Sequence, residues 1–192
     1  CGRPFVSLAH ADQGSLSDLL KRRPPMAEAL RVIDQVLDAL AHMHARGFLH
    51  QDLKPANVLL HSTASGETDA WVADLGVAGA VAELALHQRG MGGTPAWMAP
   101  EQRAGHYAEL GPWTDLYAVG LMLFEILGGD RSGKEAGTRR LLDPLPSGPL
   151  GLNPDVPDAL RMVVRTLLQP DPRERYDRAA DVVRAIRSAL SD

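Results

Sequence analysis

The hydrophobic positions along the chain predict a mainly helical protein. Between residues 26 and 40, apolar residues recur every three or four positions with charged residues between them, which is typical of a helix with one buried face. We expect this helix to span about 25–46, because Pro25 suits a first helical turn and Gly47 follows the last turn. A shorter helix is expected to begin at Ser15 and to end before Pro25.

The rest of the pattern predicts one buried helix, two amphipathic helices and a few short strands. Residues 114–127 are apolar nearly all round, so this helix belongs in the interior of a domain. Amphipathic helices are expected at about 155–168 and 177–190, whereas the glycine-rich segments 76–94 and 128–149 are expected to be loops. Short strand-like pieces lie at 48–49, 58–60 and 71–73.

Composition narrows the class of protein but does not indicate its chemistry. The chain has 192 residues, 45% of them hydrophobic, which is enough for a sizeable core. Its net charge of -4 gives no reason to expect nucleic acid or an anionic membrane surface as a partner. No apolar run reaches the ~18 residues of a membrane span, and the single cysteine excludes an intramolecular disulfide. We therefore expect a cytoplasmic segment without membrane contact.

The densest group of chemically active side chains lies between two predicted strands, in residues 50–57, HQDLKPAN. Asp52 can accept a proton from a hydroxyl, Lys54 can neutralise a phosphate, and the side-chain oxygen of Asn57 is a suitable ligand for magnesium. Asp74 follows the next strand and offers a second magnesium ligand. Two further segments come later in the chain, Gly93-Thr94-Pro95 and Ala99-Pro100-Glu101.

These motifs, in this order, resemble the C-terminal lobe of a eukaryotic-type (Hanks-type) Ser/Thr protein kinase. The resemblance extends from about residue 5 to residue 190. It implies a mainly α (α+β) fold, a helical bundle with short β-hairpins at the catalytic cleft. In this fold, residues 1–14 would form the last strand of the N-terminal lobe and the hinge, and residues 15–192 the helical C-terminal lobe. The alanine- and arginine-rich helices indicate a bacterial source.

The resemblance also implies a role for each matching residue. Asp52 would be the catalytic base that orients the hydroxyl of a protein serine or threonine, and Lys54 would stabilise charge on the phosphoryl transferred from ATP. Thr94 would bond both of these side chains, and Asn57 and Asp74 would hold Mg²⁺. The implied nucleotide-binding residues are Ala9, His10, Ala11, Leu59, Asn57 and Asp74, with Leu8 as gatekeeper.

Four further residues would support the site according to the same resemblance. Asp115 would bond the backbone of the catalytic loop, and His44 would support it. Glu101 would pair with Arg175 in the interior, where removal of one partner of such a pair is costly.

The segment that usually switches such kinases on departs from the family pattern. Gln51 replaces the arginine that pairs with a phosphate on the activation segment, and residues 75–93 contain no Ser, Thr or Tyr. We therefore expect activity that does not depend on phosphorylation of this segment. Leu75 replaces the phenylalanine of Asp-Phe-Gly and is expected to pack in its place.

The N-terminal part of a kinase is the part that the sequence lacks. No glycine-rich phosphate loop or strand lysine precedes Ser15, and the chain begins at Cys1, where the fifth strand of the N-terminal lobe would be expected. This predicts a partial kinase domain, with the rest of the N-terminal lobe supplied in cis and the 192 residues inactive alone. The location of any membrane anchor or sensor domain in the parent protein stays open.

Two alternatives compete with the protein kinase interpretation. A small-molecule phosphotransferase of the aminoglycoside-kinase type has a similar catalytic loop but lacks the segments at 93–95 and 99–101. A truncated lobe or pseudokinase would instead serve as a binding or regulatory module without catalysis.

Overall fold

A computed structural model describes residues 9–75, 79–80, 94–129 and 151–191 of the chain. Helices dominate these residues, in agreement with the mainly α fold that the sequence predicts. The helices are α1 Leu16–Lys21, α2 Met26–His44, α3 Pro100–Ala104, α4 Pro112–Ile126, α5 Asp158–Leu167 and α6 Ala179–Ala189. The strands are β1 Phe48–Leu49, β2 Val58–Ser62, β3 Thr68–Val72 and β4 Gly79–Ala80.

The core lies where α2 and α4 meet and is extended by α5 and α6. Helix α2 contacts both α4 and α6, and α5 packs between α4 and α6. The apolar face of α2 that the periodicity predicts is buried. Helix α4 approaches α5 closely at Gly120, where an added Cβ would lie 2.7 Å from the Cβ of Leu167. Only glycine therefore fits at this crossing without a shift of the two helices.

Two antiparallel strand pairs lie beside this helical core. Strands β2 and β3 form a hairpin with Val58 opposite Val72, and β1 pairs with β4. Residues 13–15 extend the hairpin, because Leu60 donates its amide hydrogen to Gly14 O at 2.8 Å and accepts one from residue 13 at 3.0 Å. Residues 9–14, which include the predicted hinge residues 9–11, therefore end along β2.

The side chain of Gln35 fastens the hairpin to α2. Its Nε2 donates to Thr68 O at 2.9 Å, and its Oε1 accepts the amide hydrogen of Ala70 at 2.7 Å. The carboxamide thus pairs with backbone C=O and N–H groups on the outer edge of β3, as a neighbouring strand would. Since α2 belongs to the core, this contact places the hairpin on a rigid support.

A capping box begins α1, as the Ser15–Asp18 spacing predicts. Ser15 Oγ accepts the amide hydrogen of Asp18, while Asp18 Oδ2 accepts the hydrogens of Ser15 N and Oγ. Hydrogen bonds from Lys21 and Ser15 lower the pKa of Asp18 to about 2. The helix therefore starts where the hinge segment ends.

The element boundaries differ from the predictions by a few residues. The 71–73 strand instead spans Thr68–Val72, because pairing with β2 extends back to the turn and ends before Ala73. The helix expected at 114–127 begins earlier, at Pro112, whose ring suits a first helical turn. Most of the segments expected as loops at 76–94 and 128–149, and residues 1–8 of the expected strand, lie outside the described residues.

No helix among the described residues combines the length and the apolar character needed to cross a bilayer.

Candidate active site

The loop that follows β1 is anchored on the carboxylate of Asp115, in the first turn of α4. Asp115 is 1% exposed, and its two oxygens accept the amide hydrogens of His50 at 2.9 Å and Gln51 at 2.8 Å. His44, at the end of α2, lies with its Nε2 2.8 Å from Asp115 Oδ2. The predicted contacts of Asp115 with the loop and with His44 are therefore confirmed, and they attach the loop to both core helices.

The ring of His50 joins this loop to the end of β3. His50 is fully buried, its Nδ1 accepts the amide hydrogen of Asp52 at 3.3 Å, and its Nε2 donates to Ala73 O at 3.0 Å. One nitrogen accepts while the other donates, so these contacts fit the neutral imidazole. Ala73 in turn donates its amide hydrogen to Asn57 O at 2.8 Å, which holds the residue before Asp74 against the loop.

Three of the predicted site residues form one hydrogen-bonded cluster. Lys54 Nζ donates to Asp52 Oδ2 and to Thr94 Oγ1, at 2.7 Å in each case. The amide hydrogen of Thr94 points to the other oxygen of Asp52, with an N–O distance of 2.6 Å. Asp52 is 8% exposed, so the cluster lies just beneath the surface. The fold thereby brings Thr94 to the Asp52 carboxylate, although the two residues lie 42 positions apart in sequence.

The pKa of Asp52 lies below the ordinary value for an aspartate. Burial raises this pKa, but hydrogen bonds from Lys54 and Thr94 and the positive charge of Lys54 together lower it by more. The carboxylate is therefore ionised near neutral pH and can accept a hydrogen bond or a proton. Because the folded-state pKa is depressed, the stability that Asp52 supplies is present above the ordinary aspartate range and is lost as pH falls through the folded-state pKa.

Replacement of Lys54 by methionine is expected to raise the pKa of Asp52. The substitution removes the hydrogen bond from Nζ and the positive charge of Lys54, both of which lower the Asp52 pKa. Burial, which raises this pKa, remains and is then opposed only by the hydrogen bonds from Thr94. The pH titration of the Asp52 carboxyl carbon by NMR measures this change. The control is Lys21→Met, which should raise the pKa of Asp18 and leave that of Asp52 unchanged. An unchanged or lowered Asp52 pKa in Lys54→Met would contradict the assignment.

Asn57 and Asp74 offer oxygen atoms of the kind that magnesium prefers. Asn57 Nδ2 donates to Asp52 O at 2.9 Å and lies 3.3 Å from Asp52 Oδ2, so its side-chain oxygen is the atom directed away from these contacts. Asp74 is exposed and has a φ of +64°. No group of three His, Cys, Asp or Glu side chains gathers within the described ranges. Two protein oxygens fit a magnesium ion that takes its other ligands from phosphate and water.

The other nucleotide-binding residues predicted from sequence lie on β2 and in the segment that precedes α1. Ala9 and His10 are exposed, and Ala11 and Leu59 are half-buried. Leu59 forms an isolated bridge with Ser15. This bridge places Leu59 near the end of the segment that contains the three hinge residues. Leu8 lies outside the described residues.

The structure contradicts one expectation, that Leu75 packs in place of the family's phenylalanine. Leu75 is 52% exposed and directly follows Asp74, whose φ is +64°. An apolar side chain this exposed is not packed in a core position.

The buried pair of Glu101 and Arg175 is present as predicted. Both guanidinium NH groups donate to the two carboxylate oxygens at 2.9 Å, and the side chains are 1% and 0% exposed. Thr114 Oγ1 donates a further bond to Glu101 Oε1 at 2.9 Å. The pair fastens α3, which follows the Thr94 segment, to α4 and to the turn before α6.

Sequence reasoning missed the role of Gln102. Its Nε2 donates to Gln51 O at 2.9 Å, although 51 residues separate the two along the chain. A glutamine three residues after Ala99 is a known helix-start signal, but that signal does not indicate a second contact with a distant loop.

Comparison with known proteins gives one family and several similar proteins. Residues 4–185 match the protein kinase domain. Among bacterial relatives, the chain is 31% identical to the probable serine/threonine-protein kinase PknB of Lactococcus lactis, over 97% of this chain and 30% of the relative. It is 32% identical to PknJ of Mycobacterium tuberculosis, over 98% and 33%, and 33% identical to PknH of that organism, over 100% and 31%. The chain thus spans about a third of the length of these curated relatives.

Proposed function

Because the chain belongs to the protein kinase domain family, we propose that its catalytic loop transfers the γ-phosphoryl group of ATP to a serine or threonine hydroxyl of a protein. The observation that carries the proposal is the cluster of Asp52, Lys54 and Thr94, whose polar atoms lie 2.6–2.7 Å apart around one carboxylate. The relatives' names, which are those of Ser/Thr protein kinases, support the same substrate class.

Asp52 orients the incoming hydroxyl and accepts its proton as the new oxygen–phosphorus bond forms, while the bond between the γ-phosphorus and the bridging oxygen breaks and ADP leaves. Its depressed pKa keeps the carboxylate ionised for this purpose. Lys54 lies against it and places a positive charge where the transferred phosphoryl carries negative charge. Phosphoryl transfer depends mainly on such positioning and charge stabilisation, so the rigid attachment of the loop to α2 and α4 serves the reaction directly.

Asn57 and Asp74 are the residues that would hold magnesium in this proposal. A magnesium ion held there would supply positive charge to neutralise the phosphate groups of ATP. Asn57 keeps its side-chain oxygen available because its nitrogen is engaged by Asp52, which also fixes the orientation of the carboxamide. Ala9, His10, Ala11 and Leu59 would border the adenine of the nucleotide.

The proposal is tested with the full-length gene product, Mg²⁺, γ-labelled ATP and a generic protein substrate. We expect label on serine or threonine and none on tyrosine, with transfer abolished by chelation of magnesium. Absence of transfer by the folded protein would contradict the proposal and favour the alternative of a binding module. Transfer to an aminoglycoside in place of a protein would favour the small-molecule phosphotransferase.

Activity is expected to be independent of phosphorylation in residues 75–94. Gln51 carries no charge to pair with a phosphate, and Thr94, the single hydroxyl residue of this range, already contacts Lys54 and Asp52. A phosphate on Thr94 would place negative charge beside the Asp52 carboxylate and hinder transfer. Phosphatase treatment should therefore leave kcat unchanged, with site occupancy followed by mass spectrometry. A required phosphate in this range would contradict the expectation.

A further inference from the structure

Gln102 connects the two segments that meet at the catalytic carboxylate. It is the third residue of α3, which begins at Pro100. Its Oε1 accepts the amide hydrogen of Ala99 at 3.1 Å, on the segment that contains Thr94, and its Nε2 donates to Gln51 O at 2.9 Å, on the loop that contains Asp52. One carboxamide therefore spans the gap between both sides of the site.

On the catalytic loop, Gln102 bonds the carbonyl oxygen of Gln51, whose backbone is strained. Gln51 has a φ of +66°, a conformation that is unfavourable for residues other than glycine and persists only where its surroundings impose it. Its amide hydrogen is held by Asp115 and its carbonyl oxygen by Gln102. The amide hydrogen of the next residue, Asp52, is held by His50. The peptide plane that leads into Asp52 is thus fixed at both its oxygen and its hydrogen.

Helix capping explains one of the two hydrogen bonds of the Gln102 side chain, the bond with Ala99. A glutamine or glutamate at the third helical position commonly accepts the amide hydrogen at the helix start, which is what Oε1 of Gln102 does with Ala99. Glutamate would do this equally well and would suit the positive end of the helix. The bond to Gln51 O requires a donor, which glutamine has and glutamate lacks.

We propose that Gln102 is a positioning residue for phosphoryl transfer, which acts by fixing the Gln51–Asp52 peptide relative to the Thr94 segment. The expected decrease in kcat rests on the proposed function. The expected increase in mobility of the Gln51–Asp52 peptide does not depend on it. Loss of the donor lets the strained peptide rotate. The Asp52 carboxylate then leaves its orientation toward the substrate hydroxyl more often.

The main test replaces Gln102 by glutamate and, separately, by methionine in the full-length gene product. Glutamate keeps the capping acceptor and loses the donor, and methionine loses both without adding charge. We expect each substitution to lower kcat by about 10-fold, with the KM for ATP unchanged. A loss confined to the glutamate variant would mean that added charge is the cause and would overturn the inference.

Gln35→Glu is the matched control. Gln35 makes the same pair of bonds, one donated to Thr68 O and one accepted from Ala70 N, but toward the turn of the β2–β3 hairpin. This variant should lower the urea midpoint at least as much as Gln102→Glu while leaving kcat unchanged.

Amide hydrogen exchange tests the positioning whether or not the protein transfers phosphate. Gln102→Glu should accelerate exchange in the peptide containing residues 50–53, and Gln35→Glu should accelerate it only in residues 66–72. If the wild-type protein shows no transfer, the proposed function fails, and exchange alone decides the inference. Unchanged exchange in residues 50–53 of Gln102→Glu would overturn it, as would an unchanged kcat in an active enzyme.

Discussion

Replacement of Asp52 by asparagine is expected to lower kcat by roughly 100- to 10,000-fold, the range that general bases contribute. Asparagine has nearly the same shape and can still accept the hydrogen bond of Thr94 N, but it cannot take a proton. It also leaves Lys54 without its anionic partner. The KM for ATP should change little, because Asp52 is assigned to the hydroxyl substrate. Steady-state kinetics with ATP and a protein substrate measure both constants.

The control for this variant is Asp38→Asn, an exposed residue of α2 that is not one of the site residues. It makes the same chemical change without touching the site, so its kcat should equal that of the wild type. A loss of less than ~10-fold in Asp52→Asn would rule out Asp52 as the base. The Asp52→Asn variant should unfold at a lower urea concentration than the wild type, because the stability that the ionised Asp52 supplies is lost. Its circular dichroism spectrum under the assay conditions should match that of the wild type, which separates a chemical effect from unfolding.

Replacement of Glu101 by glutamine is expected to lower the free energy of unfolding by about 3–5 kcal/mol. The substitution leaves the guanidinium of Arg175 charged, fully buried and without an anion. The carbonyl oxygens that also contact Arg175 satisfy hydrogen bonds but do not neutralise its charge, and the cost of burying the charge therefore remains. These carbonyls belong to Gln169, Pro170 and Trp113. Urea denaturation followed by circular dichroism measures the change.

The exposed pair of Asp34 and Arg187 provides a comparison for this prediction. Its closest contact, 2.9 Å between Arg187 Nη2 and Asp34 Oδ2, equals that of the buried pair, but solvent screens the charges. Asp34→Asn should therefore cost about 0–1 kcal/mol. If Asp34→Asn and Glu101→Gln lowered the free energy of unfolding equally, burial would not increase the contribution of the Glu101–Arg175 pair to stability. That result would also mean that α3 is held mainly by other contacts.

The long periodic elements could be predicted from sequence because each buries a continuous face. Helix α2 and helix α4 are of this kind, and their ends were missed by at most two residues. Helix α3 has only five residues, too few for any period to appear. Its bounds depend on Pro100 at its start and on Gly105, with a φ of +72°, at its end. Such short elements are determined by turn residues and by tertiary contacts.

The candidate site likewise has a part that local sequence predicts and a part that depends on tertiary contacts. Residues 50–57 could be recognised together because a short loop brings neighbours in sequence into one place. The partners of Asp115, Glu101 and Arg175 followed from the family resemblance. The bridge made by Gln102 could not be predicted, because it depends on the distance between two segments that only the packing of α3 determines. The exposure of Leu75 was also missed, because an apolar residue in the sequence does not show whether tertiary contacts cover it.

The attachment of the catalytic loop to Asp115 has a consequence for how the protein loses activity. Asp115, on the core helix α4, accepts the buried hydrogen bond from His50 N of the loop, and His44, on the core helix α2, contacts the Asp115 carboxylate. Segments held in this way open in the same cooperative unit as the core rather than by local fraying. The geometry of the loop should therefore persist up to the melting of the core. Heat inactivation and global unfolding would then coincide, and the loop would show no softening of its own at lower temperature.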